Sequence, residues 1–176
     1  LPSDSTKILA LEANPSTYKS LSLNVQNNKF TNIHCLNKAV SEKDNDVVSI
    51  SSESNYFRSH ASTTYDLYTN ESSAASIHTQ TIDTLYHLHL GGWPLSFLKI
   101  DVEGFEIPVL KGAKETIALL KPIMLIEAQE VETLNYLYHN YSGLYYFFEI
   151  NNSALRPFPS QVYPGMNLLM LPLNVQ

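Results

Sequence analysis

The sequence predicts an α/β fold: a doubly wound, mostly parallel sheet with helices on both faces and an antiparallel pair of strands at its C-terminal edge. Three observations lead there. Short apolar runs alternate with segments of helical period nearly from end to end, the pattern of βαβ units. Several of those runs are continuously apolar, as strands covered on both faces are. The last two runs have no helix between them, so they are expected to pair antiparallel at one edge.

Taken in order, Ile8 to Leu11 is the first strand, and Asn14-Pro15 starts a helix, since Asn caps well and Pro suits the first helical position. Tyr18, Leu21 and Val25 keep helical spacing until Asn27-Asn28-Lys29 ends it. A second strand runs from Ile33 through Cys35 to Val40, and a third covers Val47 to Ile50. Residues 51–76 are rich in Ser, Thr and Asn and read as a long polar surface excursion, a length typical of lids and binding loops. Residues 77–82 form a strand, with Asp83 as N-cap of a helix to Leu90. Leu95 to Glu103 is a strand. A helical stretch follows through Val109, Leu110, Ala113, Ile117 and Leu120, with Pro108 tolerable only in its first turn. Ile123 to Ile126 is a buried strand, Leu134 to Tyr138 lie on a helix, and Tyr145–Ile150 and Asn167–Leu171 are the closing strands.

The 176 residues make about one domain, spanning 1–176. No apolar run approaches the ~20 residues of a membrane span. A net charge of −6 with no basic cluster argues against nucleic acid and anionic membranes as partners. The single cysteine, Cys35, fits a reducing compartment, cytoplasmic by default, and is expected in the core of its strand. All six glycines fall at or after Gly91, which excludes a Gly-rich phosphate or nucleotide loop before that point.

Three apolar strands end in a carboxylate: Glu12, Asp101 and Glu127. Ligands of open α/β sheets bind outside the carboxyl ends of strands, so these acids would converge on one crevice. Strands also often stop at a polar residue with no ligand in view. In Phe97 to Glu103 a period of 2 puts Lys99, Asp101 and Glu103 on one face. A half-exposed edge strand gives that alternation. Leu95, Phe97 and the flanking helices favour a strand near the middle of the sheet, where a lysine needs Asp101 or Glu103 as partner. A charged cluster at such a strand-to-helix turn could hold a substrate hydroxyl and accept its proton. His87 and His89, two apart, do not share a helix face and read as solvated surface, and no spacing suited to metal ligands occurs. Tyr145 to Phe148 reads as a buried strand.

Leu11-Glu12-Ala13-Asn14-Pro15, Asn37-Lys38-Ala39-Val40-Ser41, Thr81-Ile82-Asp83-Thr84-Leu85 and above all Lys99 to Glu106 followed by Gly112-Ala113 resemble the FkbM-type methyltransferases. The resemblance runs over nearly the whole chain, to Asn167–Pro172. It implies a class I, Rossmann-like methyltransferase that uses S-adenosyl-L-methionine, most often for O-methylation of a hydroxyl on a small-molecule or glycan acceptor, a sugar or natural product. By that resemblance Glu12, with Ala13 and Asn14 beside it, matches the ribose-binding acid. Lys38 and Ala39 match the turn beside the adenine. Asp101 and Glu103 match the strand end beside the methyl group, and Glu127 matches the strand end on the substrate side; Asp101 or Glu103 is the expected base or acceptor clamp, with Lys99 tuning them. Many methyltransferases carry an Asp in the turn where this chain has Asn37-Lys38.

The family's first strand and Gly-rich loop have no counterpart before Lys7, and that strand would lie between those ending in Glu12 and Asp101. The expectation is therefore roughly 40 or more further residues upstream, by analogy with a strand–loop–helix unit. A second reading is a non-catalytic remnant of the fold that binds a partner. A third is a nicotinamide-dependent oxidoreductase on a similar sheet, which would also need glycines this chain does not show.

Overall fold

A computed structural model of the chain describes residues 6–52, 59–62, 75–128, 130–151, 154–157, 163 and 165–173. The opening unit follows the sequence pattern. Strand β1 (Ile8–Leu11) leads to Asn14, whose side-chain oxygen accepts from the amides of Ser16 and Thr17 at 2.9 and 3.3 Å and so caps helix α1 (Pro15–Asn27). Past Asn28 the chain turns through left-handed Lys29 (φ 56°) and returns as β2 (Ile33–Leu36), parallel to β1 with Ile8 opposite Ile33. The expected strand to Val40 is divided. The chain bends at Asn37-Lys38, and β3 (Ala39–Val40) joins a different sheet.

That second sheet has the order β3-β6-β4-β5, with β4 (Val47–Ser52), β5 (Ser59–Ser62) and β6 (Ala75–Gln80). Part of the expected polar excursion is thus a strand: β5 pairs antiparallel with β4, Ser62 opposite Ser49. Residues 53–58 and 63–74, most of the expected lid, lie outside the described residues. Thr81 rather than Asp83 caps α2 (Ile82–Leu85), accepting from the Thr84 amide at 3.0 Å. A π-helical turn, Tyr86–Leu90, continues it. Asp83 instead accepts from the amides of Glu115 and Thr116 at 3.2 and 2.8 Å, capping α4 (Lys114–Leu120) from outside.

The third sheet, in the order β10-β9-β11-β8-β7, is built from β7 (Phe97–Ile100), β8 (Ile123–Ala128), β9 (Tyr145–Asn151), β10 (Ala154–Pro157) and β11 (Met166–Pro172). The helical stretch after β7 is two helices, α3 (Glu106–Lys111) and α4, with Pro108 in the first turn of α3 as required. The break falls at Gly112, where a Cβ would lie 2.1 Å from the Ser41 carbonyl oxygen. Helix α5 (Val131–Tyr141) packs on β8. The core is here. Met124, Ile126 and Ala128 of β8 and Met166, Leu168 and Met170 of β11 are all 0% exposed, and each of the larger side chains contributes about 1.5–3 kcal/mol by burial. The intervening residues are only half-buried, so one face of this sheet is closed and the other partly open.

The expected architecture is therefore corrected in two respects. Among the described residues three sheets stand where one was expected, and five strand pairs are antiparallel against three parallel. The cause is local: β4 runs antiparallel to both β5 and β6 in the second sheet, and β10, a strand the sequence did not announce, adds an antiparallel pair with β9 beyond the expected β9–β11 pair. Among the described residues strand β7, expected near the middle of the sheet, pairs on one side only, with β8, and Cys35 is half-buried in the two-stranded sheet rather than in the core.

Candidate functional site

Strands β1 and β7 each pair on one side only among the described residues, and both line a single cleft of about 1050 Å³. Ile8, Leu9 and Leu11 form one wall, and Phe97 to Val102 the other. At the N-terminal ends of the strands Trp93 and Pro94 line the cleft, with the Lys7 ammonium 4.3 Å from the centre of the Trp93 ring, a cation–π contact. Glu12, Ala13, Lys38, Ala39, Asp101 and Glu103 line it near the carboxyl ends. Six residues singled out from the sequence thus border one space, along with Lys99.

Glu12 is held by its surroundings. Its Oε1 accepts the Asn14 amide at 2.7 Å, and Oε2 takes no hydrogen bond among the described residues. Asn37 Nδ2 donates to the carbonyl oxygens of Glu12 and Ala13 at 2.8 and 2.9 Å. The sequence marked Asn37 only as a departure from Asp, yet an amide nitrogen carries two N–H groups where a carboxylate carries none. An Asn at a turn between two strand ends is the signal that would have found this bridge. Asn14 itself is buried at 8% exposure as the cap of α1 and does not line the cleft.

On the opposite wall, Lys99 Nζ lies 2.7 Å from Asp101 Oδ2, with both side chains well exposed at 55% and 36%. With β7 paired on one side only among the described residues the pair stands exposed, and an exposed pair contributes at most about 1 kcal/mol. Glu103 makes no hydrogen bond or ion pair among the described residues, and its backbone is left-handed (φ 50°), followed by Gly104 at φ 93°. A non-glycine residue held there stores about 1 kcal/mol or more of strain, characteristic of functional turns.

Glu127 stands apart from the cleft, one strand over. Extending the register Ile100 to Ile126 by one residue places Asp101 beside Glu127, and Glu127 is opposite Asn167 of β11. Asp101, just past the end of β7, and Glu127 and Asn167 of β8 and β11 therefore succeed one another as a polar row, of which the sequence singles out Asp101 and Glu127 but not Asn167. His87 and His89 are both exposed, and the His89 ring lies 5.4 Å from that of His34.

Perturbed titrations lie away from the cleft. Hydrogen bonds from the Thr81 amide and the Thr84 hydroxyl lower the Asp44 carboxyl below its ordinary value. Burial raises the Tyr136, Tyr141 and Tyr145 phenols, Tyr145 to about 12. Among the described residues no helix is long and apolar enough to cross a membrane, and no group of three or more His, Cys, Asp or Glu could hold a metal ion.

Comparison with known proteins gives two likenesses. The profile of the methyltransferase FkbM domain matches residues 3–152. A crystal structure of methyltransferase FkbM from Methylobacillus flagellatus KT superposes with a TM-score of 0.59 at 17% identity, a likeness of fold. The alignment covers 93% of this chain and 36% of that one, so this chain spans about a third of its neighbour's length. No curated protein matches.

Proposed function

The chain belongs to the methyltransferase FkbM domain family, and from that premise we propose that it transfers a methyl group from S-adenosylmethionine to a hydroxyl of a sugar or natural product. The observation that supports this reading is the cleft. Its walls are apolar along β1 and β7, and carboxylates stand at the ends of both strands, the balance of apolar lining and few polar groups expected of a cofactor site. The volume of about 1050 Å³ leaves room for more than one small molecule.

The residues fit the cofactor. Glu12 faces the cleft with Oε2 unengaged, suited to accept from ribose hydroxyls. Lys38 and Ala39 border the adenine end. S-adenosylmethionine supplies an electrophilic methyl on its sulfonium. Everything else is done by the chain: position the acceptor hydroxyl and take its proton. Asp101 holds Lys99 through Oδ2, leaving Oδ1 for the acceptor, and the carboxylate of Glu103 is unengaged. Either carboxylate would take the hydroxyl proton on an oxygen, leaving the acceptor oxygen to receive the methyl as the methyl's bond to sulfur breaks. Glu127 and Asn167 extend the polar row on the acceptor side.

The open edges of β1 and β7 also suit one further parallel strand, which would join the two-stranded and five-stranded sheets into one and carry the remaining cofactor contacts. A thermal melt of the full-length protein tests the function: S-adenosylhomocysteine at 100 times its Kd is expected to stabilise it by about 2.7 kcal/mol. An unchanged melt at millimolar ligand contradicts the enzyme and favours a non-catalytic, partner-binding role.

A further inference from the structure

Glu106 is the most deeply buried carboxylate among the described residues, at 0% exposure, and the chemistry above does not use it. It opens α3, directly after the Glu103-Gly104 turn. Its Oε1 accepts the Gly104 amide at 2.8 Å, and its Oε2 accepts the Thr133 hydroxyl at 3.3 Å. Thr133 lies on α5 and is itself 2% exposed. The two bonds form a continuous tie from the helix packed on β8, through the carboxylate, to the amide of a turn whose two residues have φ of 50° and 93°.

A leucine at position 106 would satisfy the surrounding core without the desolvation that a carboxylate suffers there. What the carboxylate adds is the grip on Gly104. A left-handed Glu103 persists only where its surroundings over-determine it; the Phe105 amide, donating to the Val102 carbonyl at 3.2 Å, closes the turn around Glu103 and Gly104 but leaves the Gly104 amide itself to the Glu106 carboxylate. We propose that Glu106 is a positioning residue: it fixes the Glu103-Gly104 turn against the buried face of α5 and so sets the Glu103 carboxylate at the mouth of the cleft. It does not line the cleft. The proposal rests on the methyltransferase reading for its purpose, but the tie itself is independent of that reading.

The test uses the full-length protein with Glu106→Leu, which keeps the volume and removes the acceptor, and Glu106→Gln, whose amide oxygen can still accept from Gly104. Two readouts are taken: hydrogen exchange of the Gly104 amide by NMR, against Leu168 as a core control, and the Kd of S-adenosylhomocysteine by calorimetry. In Glu106→Leu, exchange at Gly104 accelerates about tenfold with Leu168 unchanged, and the Kd rises about tenfold, while Glu106→Gln stays within about threefold on both. Should Glu106→Leu not fold, Thr133→Val frees Oε2 and gives the same changes at about threefold. A lower Tm with wild-type exchange at Gly104 and wild-type Kd would overturn the proposal, leaving Glu106 as part of the packing only. If the wild-type protein does not bind the ligand, the methyltransferase reading fails by that result, and the tie is decided by Gly104 exchange alone.

Discussion

Asn37 bridges the end of β2 to the end of β1: its Nδ2 donates to the carbonyl oxygens of both Glu12 and Ala13, at 2.8 and 2.9 Å. The bridge fixes the backbone that carries Glu12 into the cleft. Asn37→Asp removes both donors and sets a carboxylate against two carbonyl oxygens. We expect a loss of about 2 kcal/mol in urea unfolding and roughly tenfold weaker S-adenosylhomocysteine binding, larger on both counts than in Asn37→Ala. Equal effects of Asp and Ala would show that the two hydrogen bonds are not what holds Glu12.

Gly112 lets the α3–α4 break approach the Ser41 backbone, and a Cβ there would sit 2.1 Å from the Ser41 oxygen. Both partners are backbone, so neither can swing aside. Gly112→Ala is expected to cost about 3 kcal/mol, read as a lower urea midpoint with an unchanged slope. A midpoint at the wild-type value would mean that the two segments separate freely.

Tyr145 is 2% exposed, and its hydroxyl finds no hydrogen-bond partner among the described residues. Its ring meets that of Tyr141 edge-on at 6.2 Å. Tyr145→Phe keeps the ring and removes the unsatisfied hydroxyl, so stability should hold or rise by up to about 1 kcal/mol. The same burial raises the Tyr145 phenol to about 12. Its neutral form is therefore favoured by folding up to pH 10, and that contribution is lost as pH rises toward 12. Stability of the wild type should fall more steeply over that interval than stability of Tyr145→Phe.

Asp44 accepts from the Thr81 amide and the Thr84 hydroxyl, both at 2.7 Å, and these bonds lower its carboxyl below the ordinary value. A lowered folded value means stability present above the unfolded value, ~3.9, and lost as pH falls through the folded one. The difference between wild type and Asp44→Asn is expected to be constant from pH 7 to 5 and to shrink below about pH 4. A difference independent of pH would rule out the ionised carboxylate as its source.

The parts of this fold that follow from local chemistry were legible in the sequence. Asn14-Pro15 announces α1 because a capping side chain and a prolyl ring act on their own neighbours, and the apolar runs at Ile8 and Ile123 become strands β1 and β8. Of the three carboxylates expected to converge, Glu12 and Asp101 border one cleft and Glu127 does not line it. Sheet membership was not legible. Whether β3 continues β2 depends on the bend at Asn37-Lys38, and whether β7 is central depends on what lies beside it, neither of which its own residues encode. Asp83 was read as a cap for the helix it sits in, whereas its carboxylate reaches α4, 32 and 33 residues further along the chain. The same holds beside the cleft: Glu12 and Asp101 stand out in the sequence as strand ends, whereas Asn37 meets Glu12 and Ala13 across 25 and 24 residues and Glu106 meets Thr133 across 27.

The central claim is that Glu12 anchors S-adenosylmethionine in the cleft between β1 and β7. Its most direct test is calorimetric titration of S-adenosylhomocysteine into the full-length protein and into Glu12→Ala. The account predicts saturable one-to-one binding to the wild type, weakened in the variant by roughly tenfold or more, the loss expected for hydrogen bonds to a charged group. Unchanged affinity in a folded Glu12→Ala would contradict the role of Glu12, and no binding to the wild type would contradict the cofactor itself.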